Sequence, residues 1–207
     1  MATYASTAEL KSRLSIADAT DDTLLSNALD TASREIEQHT RRIFTPTSAG
    51  TARVFEAEDW WELNFGDFHD LTTLATLATD GSGDGVFETS WAATDYELGP
   101  VNASGYPEAR PYETVRAIGS RTFPVPARIG ATRRHLVQVT GTWGWSATPS
   151  AIKEACLLLA AEGFKAKDSP FGVAGVADFG VVRIRDNALI QRKLRPYIRG
   201  TGEVLVG

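Results

Sequence analysis

The apolar residues of this chain change their period twice along its length, and those changes constrain the fold more than any single motif. From Asp21 or Asp22 to about Arg42, Leu25, Leu29, Ala32, Ile36 and Ile43 recur at one-turn or two-turn helical spacing, while Arg34, Glu35, Glu37 and Gln38 fall on the other face. From Thr51 to Trp145 the pattern becomes short β-like runs divided by turn residues. From about Ser150 to Lys167 it is helical again, opened by Pro149 where a first-turn proline is tolerated. Two helices flanking a long β-rich stretch share one core only if they meet across it. The expected class is therefore α+β: a small helical core of two long helices plus short ones, a large β-rich insertion, and an extended C-terminal arm.

The boundaries follow from composition. Residues 1–45 hold the N-terminal helices, 46–146 the insertion, 147–168 the third core helix, and 169–207 the arm with a short strand and a basic helix. A short helix opens at Thr7 with Ser or Thr as its cap. Candidate strands are Ala52–Ala57, Trp61–Phe65, Leu71–Thr79, Phe87–Leu98, Val115–Ile118 and His135–Thr140, with Gly99–Pro111 as a long Pro- and Gly-rich loop. The second long helix carries Ile152, Ala155, Cys156, Leu157, Leu158, Leu159, Ala160 and Phe164, which leaves little polar face in its middle. Such a helix needs cover on several sides. Leu25, Leu29, Ile36, Ile152, Leu157, Leu158, Leu159 and Phe164 are thus expected in the core or at a subunit interface.

Composition narrows the function classes. The longest apolar run, Ala155–Ala161, is far too short to span a bilayer, and no basic-then-apolar leader is visible, so neither membrane insertion nor secretion is expected. The single cysteine, Cys156, reads as a small core hydrophobe in a chain folded in a reducing cytoplasm. A net charge of −5 and a pI near 5.3 argue against a tight grip on phosphate backbones. The charge is uneven: residues 1–150 carry 12 basic and 20 acidic side chains, residues 151–207 carry 9 and 6.

No constellation points to catalysis. A Gly-x-Ser-x-Gly elbow, a phosphate-binding Gly loop and a Cys pair are all lacking, and His39, His69 and His135 have no ligand spacing. Asp80-Gly81-Ser82-Gly83-Asp84-Gly85 has the oxygens and Gly of a calcium loop, but the twelfth position is Trp91 instead of a bidentate Glu, so a turn between strands is the better reading. No catalytic residue, metal or cofactor is expected. Residues 52–100 hold 11 acids and one base, Arg53, and so project a negative field; Glu56, Glu58, Asp59 and Glu62 are among those acids. A paired-carboxylate site among those four is the weaker alternative to a solvated acidic face.

The arm is the candidate binding element. Phe171, Val173, Val176 and Phe179 are spaced among glycines without helical or strand period, so they need a partner to order on. Val181, Val182, Arg183, Ile184 and Arg185 suit strand addition to an exposed edge. Arg192, Lys193, Arg195 and Arg199 give a basic surface, with Leu189, Ile190, Leu194 and Tyr197 on the apolar side. The alternative is that the arm folds back on its own helices.

In order and spacing, three strings resemble the head-to-tail adaptor (connector) proteins of long-tailed bacteriophages and phage-like gene transfer agents. They are Tyr4–Lys11 with Asp21–Leu25 and Ala32–Glu37, then Gly141–Trp145 with Pro149–Ala155, then Phe164–Gly175. The resemblance covers roughly half the chain, at both ends. It implies a structural head-completion protein at the neck of the virion, made in the host bacterial cytoplasm. The same resemblance implies a homo-oligomeric ring, of twelve copies in that family, docked on the portal by the C-terminal arm. The opposite face would receive the next head-completion or stopper protein, and double-stranded DNA would pass through the lumen without sequence-specific binding, with Glu56, Glu58, Asp59 and Glu62 as the acids that could face it. Competing readings are a neighbouring stopper or tail-terminator ring protein, or a carbohydrate-binding or hydrolytic tail component using Trp60, Trp61, Trp91, Trp143 and Trp145.

Overall fold

The computed structural model describes residues 3–105, 108–126, 134–165 and 187–200. The chain divides into two compact units: residues 1–44 with 148–207, and residues 45–147. The first is helical, the second β, and the fold class is α+β.

In the helical unit, α1 (Thr7–Leu14) starts at a capping box. The Glu9 amide donates to Ser6 Oγ at 3.2 Å while the Ser6 amide donates to Glu9 Oε2 at 2.8 Å. Helix α2 (Asp22–Thr40) buries Leu25, Leu29, Ala32, Ser33, Ile36 and Thr40, a stripe at three- and four-residue steps. Its two polar members are satisfied within the helix, Ser33 Oγ donating to the Leu29 carbonyl and Thr40 Oγ1 to that of Ile36, both at 2.7 Å. Helix α3 (Ser150–Lys165) buries Ile152, Ala155, Cys156, Leu157, Leu159, Ala160, Ala161 and Phe164, more than one face, and packs on α1, α2 and α4 (Ala188–Leu194). Leu158, expected in the core or at a subunit interface, is half-buried.

Residues 187–200 belong to this helical unit. Asn187 caps α4 by accepting from the Leu189 and Ile190 amides, and a 3-10 turn follows at Arg195–Tyr197. Ile190, Leu194 and Tyr197 are buried, and Phe44 meets both Tyr4 and Tyr197 edge to face. The Arg42 guanidinium donates to the Tyr197 carbonyl at 2.8 Å, and the Arg199 amide to that of Thr40 at 2.9 Å. Tyr197 and Arg199, both expected on the binding side of the arm, are therefore buried in this unit: the Tyr197 ring covers Phe44, and Arg199, whose amide is tied to Thr40, is 6% exposed. The segment from Phe171 to Arg185 lies outside the described residues.

The β unit holds two antiparallel sheets. One has the order β1 (Thr51–Phe55), β7 (Val137–Trp143), β3 (Leu71–Thr79), β4 (Thr89–Ser90); the other runs β2 (Glu62–Asn64), β6 (Thr114–Ala117), β5 (Tyr96–Gly99). Both contribute to one core, with Phe55, Leu71, Leu77, Val137, Val139 and Trp143 from the first and Leu63, Val115 and Ala117 from the second. Strand β7 alternates buried and half-buried positions along its whole length, as a central strand should. Where it passes β3 the register is irregular, and a Cβ on Gly141 would stand 2.1 Å from the Thr73 carbonyl oxygen. Only a glycine allows that approach.

The run Phe87–Leu98, expected as one strand, is two. Between them the Asp95 amide donates to the Ala92 carbonyl and the Ala92 amide to Asp95 Oδ2, both at 2.9 Å, closing a turn that carries the chain from one sheet to the other. Beside it Trp91 stacks on Phe123 with centroids 4.7 Å apart.

Gly141→Ala should destabilise the β unit by about 1–3 kcal/mol or more, since the neighbour that must yield is backbone. Ile152→Ala, in the helical unit, should cost about 2–5 kcal/mol. Chemical denaturation followed by tryptophan fluorescence for the first and helical circular dichroism for the second checks both. An unchanged midpoint in either variant contradicts the packing described.

Candidate functional site

Each expected site residue that falls among the described residues can be placed at the surface or in the interior. Glu56, Glu58, Asp59 and Glu62 are all exposed. Glu62 lies on β2 opposite Arg116 of β6, which in turn lies opposite Glu97 of β5, so the three side chains form one row across the solvent face of the three-stranded sheet. Just before β2 come Trp60 and Trp61, 40% and 49% exposed, and just after β6 comes Ile118, 43% exposed. They are held at the same end of the sheet. The Ala117 amide donates to the Trp61 carbonyl at 2.8 Å, the Phe123 amide to that of Trp60 at 2.9 Å, and the Ile118 amide to that of Asp95 at 2.9 Å.

The remaining tryptophans are core residues. Trp143 is fully buried, its indole N–H donating to the Thr51 carbonyl at 2.9 Å, and Trp91 and Trp145 are 6% and 2% exposed. Five tryptophans do not gather into one stacking platform, because three of them fill the interior. A hollow of about 120 Å³ is lined by Thr72, Arg110, Tyr112 and Ser146 among others. It is smaller than the ~300–1,000 Å³ usual for ligand sites and is lined by no carboxylate.

The Asp80 loop does bring three carboxylates together: one oxygen each from Asp80, Asp84 and Glu88 lie within 4.8 Å of one another. Those groups are already engaged by the turn itself. Asp80 accepts from the amides of Ser82, Gly83 and Gly85, Asp84 from that of Val86, and Glu88 from that of Gly81. Burial alone would raise the Asp80 pKa, but the amides of Gly85 and Gly83 and the Ser82 hydroxyl outweigh it and hold the carboxyl below its ordinary range. The reading as a turn between strands rests on these bonds. The histidines remain apart: His69 Nδ1 lies 2.6 Å from the Asp67 carbonyl and its ring packs on Phe55 and Trp143, while His39 sits on α2 and His135 precedes β7.

In the helical unit the polar contacts brace helices. The Tyr4 hydroxyl donates to Glu37 Oε1 at 2.6 Å and accepts from the Phe44 amide at 3.2 Å. Burial first, then the bond to Glu37, push its pKa far above the ordinary tyrosine value, so it stays a donor. Burial likewise raises the Cys156 thiol, which removes it from thiolate chemistry. On α4, Leu189 is 43% exposed, Arg192 is exposed and Lys193 is half-buried, and Arg195, in the 3-10 turn that follows, is exposed. Arg192 and Lys193 have no ion-pair partner among the described residues.

A fold of this class, a helical unit interrupted by a two-sheet β unit, can be set against known proteins. No family model matches the chain, and no curated protein matches it significantly. Solved structures do match. A chain from the neck of an empty gene transfer agent particle, computed with C6 symmetry, aligns over 90% of this chain and 87% of its own length, with a TM-score of 0.56 and 23% identity. A chain from the neck of a native particle, computed with C12 symmetry, aligns over 90% and 86%, with a TM-score of 0.52 and 23% identity. At that identity the likeness establishes a shared fold.

Glu9 supplies a pH prediction. The Ser6 amide first, then Lys153 and the Ser6 hydroxyl, lower its pKa from 4.5 to about 2. A depressed folded-state value means the stabilisation is present above about 4.5 and is lost as the pH falls toward 2. Glu9→Gln should therefore flatten part of the fall in helical-unit stability across that window, measured as melting temperature against pH. An acid profile identical to the parent contradicts it.

Proposed function

We propose that this chain is a structural subunit of the neck of a tailed phage or gene transfer agent particle. In this reading it forms the adaptor ring between the portal and the next head-completion or stopper protein. The observation that carries the reading is the fold likeness to a neck chain over 90% of this chain, across both its helical and its β unit. The ordered strings at both ends of the sequence support the same family. A ring of twelve copies accords with the C12 symmetry with which the native neck was computed. DNA crosses the lumen without sequence-specific binding, and a net charge of −5 suits a wall that must not hold it. The role needs no catalytic group, and it sets the protein in the virion, at the neck.

The portal contact falls to the segment between α3 and α4. Phe171, Val173, Val176 and Phe179 supply its apolar anchors, Val181, Val182 and Ile184 a strand able to pair with an exposed edge, and Arg183 and Arg185 its charge. Replacing the four anchors together, Phe171→Ser, Val173→Ser, Val176→Ser and Phe179→Ser, should lower co-sedimentation with portal rings at least about tenfold, since a few buried apolar anchors carry most of such binding. The melting temperature should stay at the parental value. Undiminished docking, or docking to a tail-side protein in place of the portal, contradicts the adaptor assignment.

A further inference from the structure

Two exposed surfaces on this chain complement one another, and the helical and β units carry one each. On the β unit, the end of the three-stranded sheet shows Trp60, Trp61 and Ile118 to solvent, next to exposed Glu58, Asp59, Glu62 and Glu97. On the helical unit, α4 turns Ile190 and Leu194 inward and shows Leu189 and Arg192 outward, with Lys193 half-buried beside them and Arg195 exposed just past the helix end. One surface is apolar and acidic; the other is apolar and basic. Arg116, between Glu62 and Glu97, is the only base in that strand row, so the carboxylates outnumber it.

We propose that the Trp60–Trp61–Ile118 end of the three-stranded sheet on one copy docks the exposed face of α4 on the next copy. Leu189 meets the indole and isoleucine surface, and Arg192 and Lys193 face Glu62, Glu97 and the carboxylates at 58 and 59. Exposed indoles set among charges are what protein interfaces select, because an aromatic anchor supplies area and an arginine can lie on its face. A wall that only lets duplex DNA slide past has no use for exposed indoles, whereas an interface between copies uses both them and the acids. Because the two patches differ, the contact is heterologous, and heterologous contacts close into rings when the rotation between copies permits. This inference deepens the ring proposed above and rests on it.

The test uses full-length chain assembled in particles and carrying Trp60→Cys with Leu189→Cys, mildly oxidised and run on a non-reducing gel. Cys156 is buried and does not interfere. A ladder from dimer upward that collapses on reduction, and is lacking in each single variant, is the expected result. Monomer alone, in particles that contain the chain in portal-like number, overturns the docking and leaves the ring intact. Absence of the parental chain from particles overturns the ring and the docking together. Charge reversal gives an independent measurement: Glu62→Lys with Glu97→Lys should lower incorporation about tenfold, and adding Arg192→Glu with Lys193→Glu should restore it. Failure of the combined variant to recover, while it melts like the parent, contradicts the pairing.

Discussion

The packing of α2 on α3 is the contact on which the rest of the helical unit depends. The two helices meet although residues 45–147 intervene, α1 leans on both and α4 on α3. Closing so long a loop has an entropic cost, but that cost grows only slowly with length. It is offset by burial of Leu25, Leu29 and Ile36 on α2 and of Ile152, Cys156 and Leu159 on α3. Phe44 then seals the unit: Tyr4 and Tyr197 cover its ring, and Thr148 donates to its carbonyl at 3.0 Å. A helical unit closed at Phe44 and Thr148 tolerates a large insertion, because the ends of the insertion leave and return together.

The insertion answers the same demand from its own side. The Thr47 amide donates to the Trp143 carbonyl at 2.7 Å, and the Trp143 amide donates to Thr47 Oγ1 at 3.0 Å, so first and last strands are tied where the chain enters and leaves. With its own core of aromatic and branched residues, the β unit does not borrow stability for its outer surface. That freedom lets Trp60, Trp61 and Ile118 stay exposed at the end of the smaller sheet. In an isolated monomer such residues are a liability; in an assembly they are where neighbours meet.

The helices were legible because their signals are local and redundant: a Ser or Thr cap at the start of α1, a single apolar stripe on α2, and an apolar belt on α3. Strand β3 was legible end to end, since Leu71–Thr79 has a strand composition bounded by Asp70 and Asp80. The division of Phe87–Leu98 was not, because the turn at Ala92–Asp95 is closed by one side chain, Asp95, and one backbone bond, without a Gly or Pro to mark it. Nor could pattern reading tell core tryptophans from surface ones, since burial of Trp91, Trp143 and Trp145 is decided by which sheet faces which. The apolar side of α4 was visible in Ile190, Leu194 and Tyr197, but its destination depends on Phe44, far away in sequence. The row Glu62–Arg116–Glu97 exists only through strand pairing, and no linear signal announces it.

The central claim, that this is a stoichiometric ring subunit of a particle neck, is tested most directly by counting. Quantitative mass spectrometry of purified tailed particles compares the copy number of this chain with that of the portal subunit. A ratio near one is the predicted result. Absence from finished particles, or a copy number unrelated to that of the portal, would contradict it.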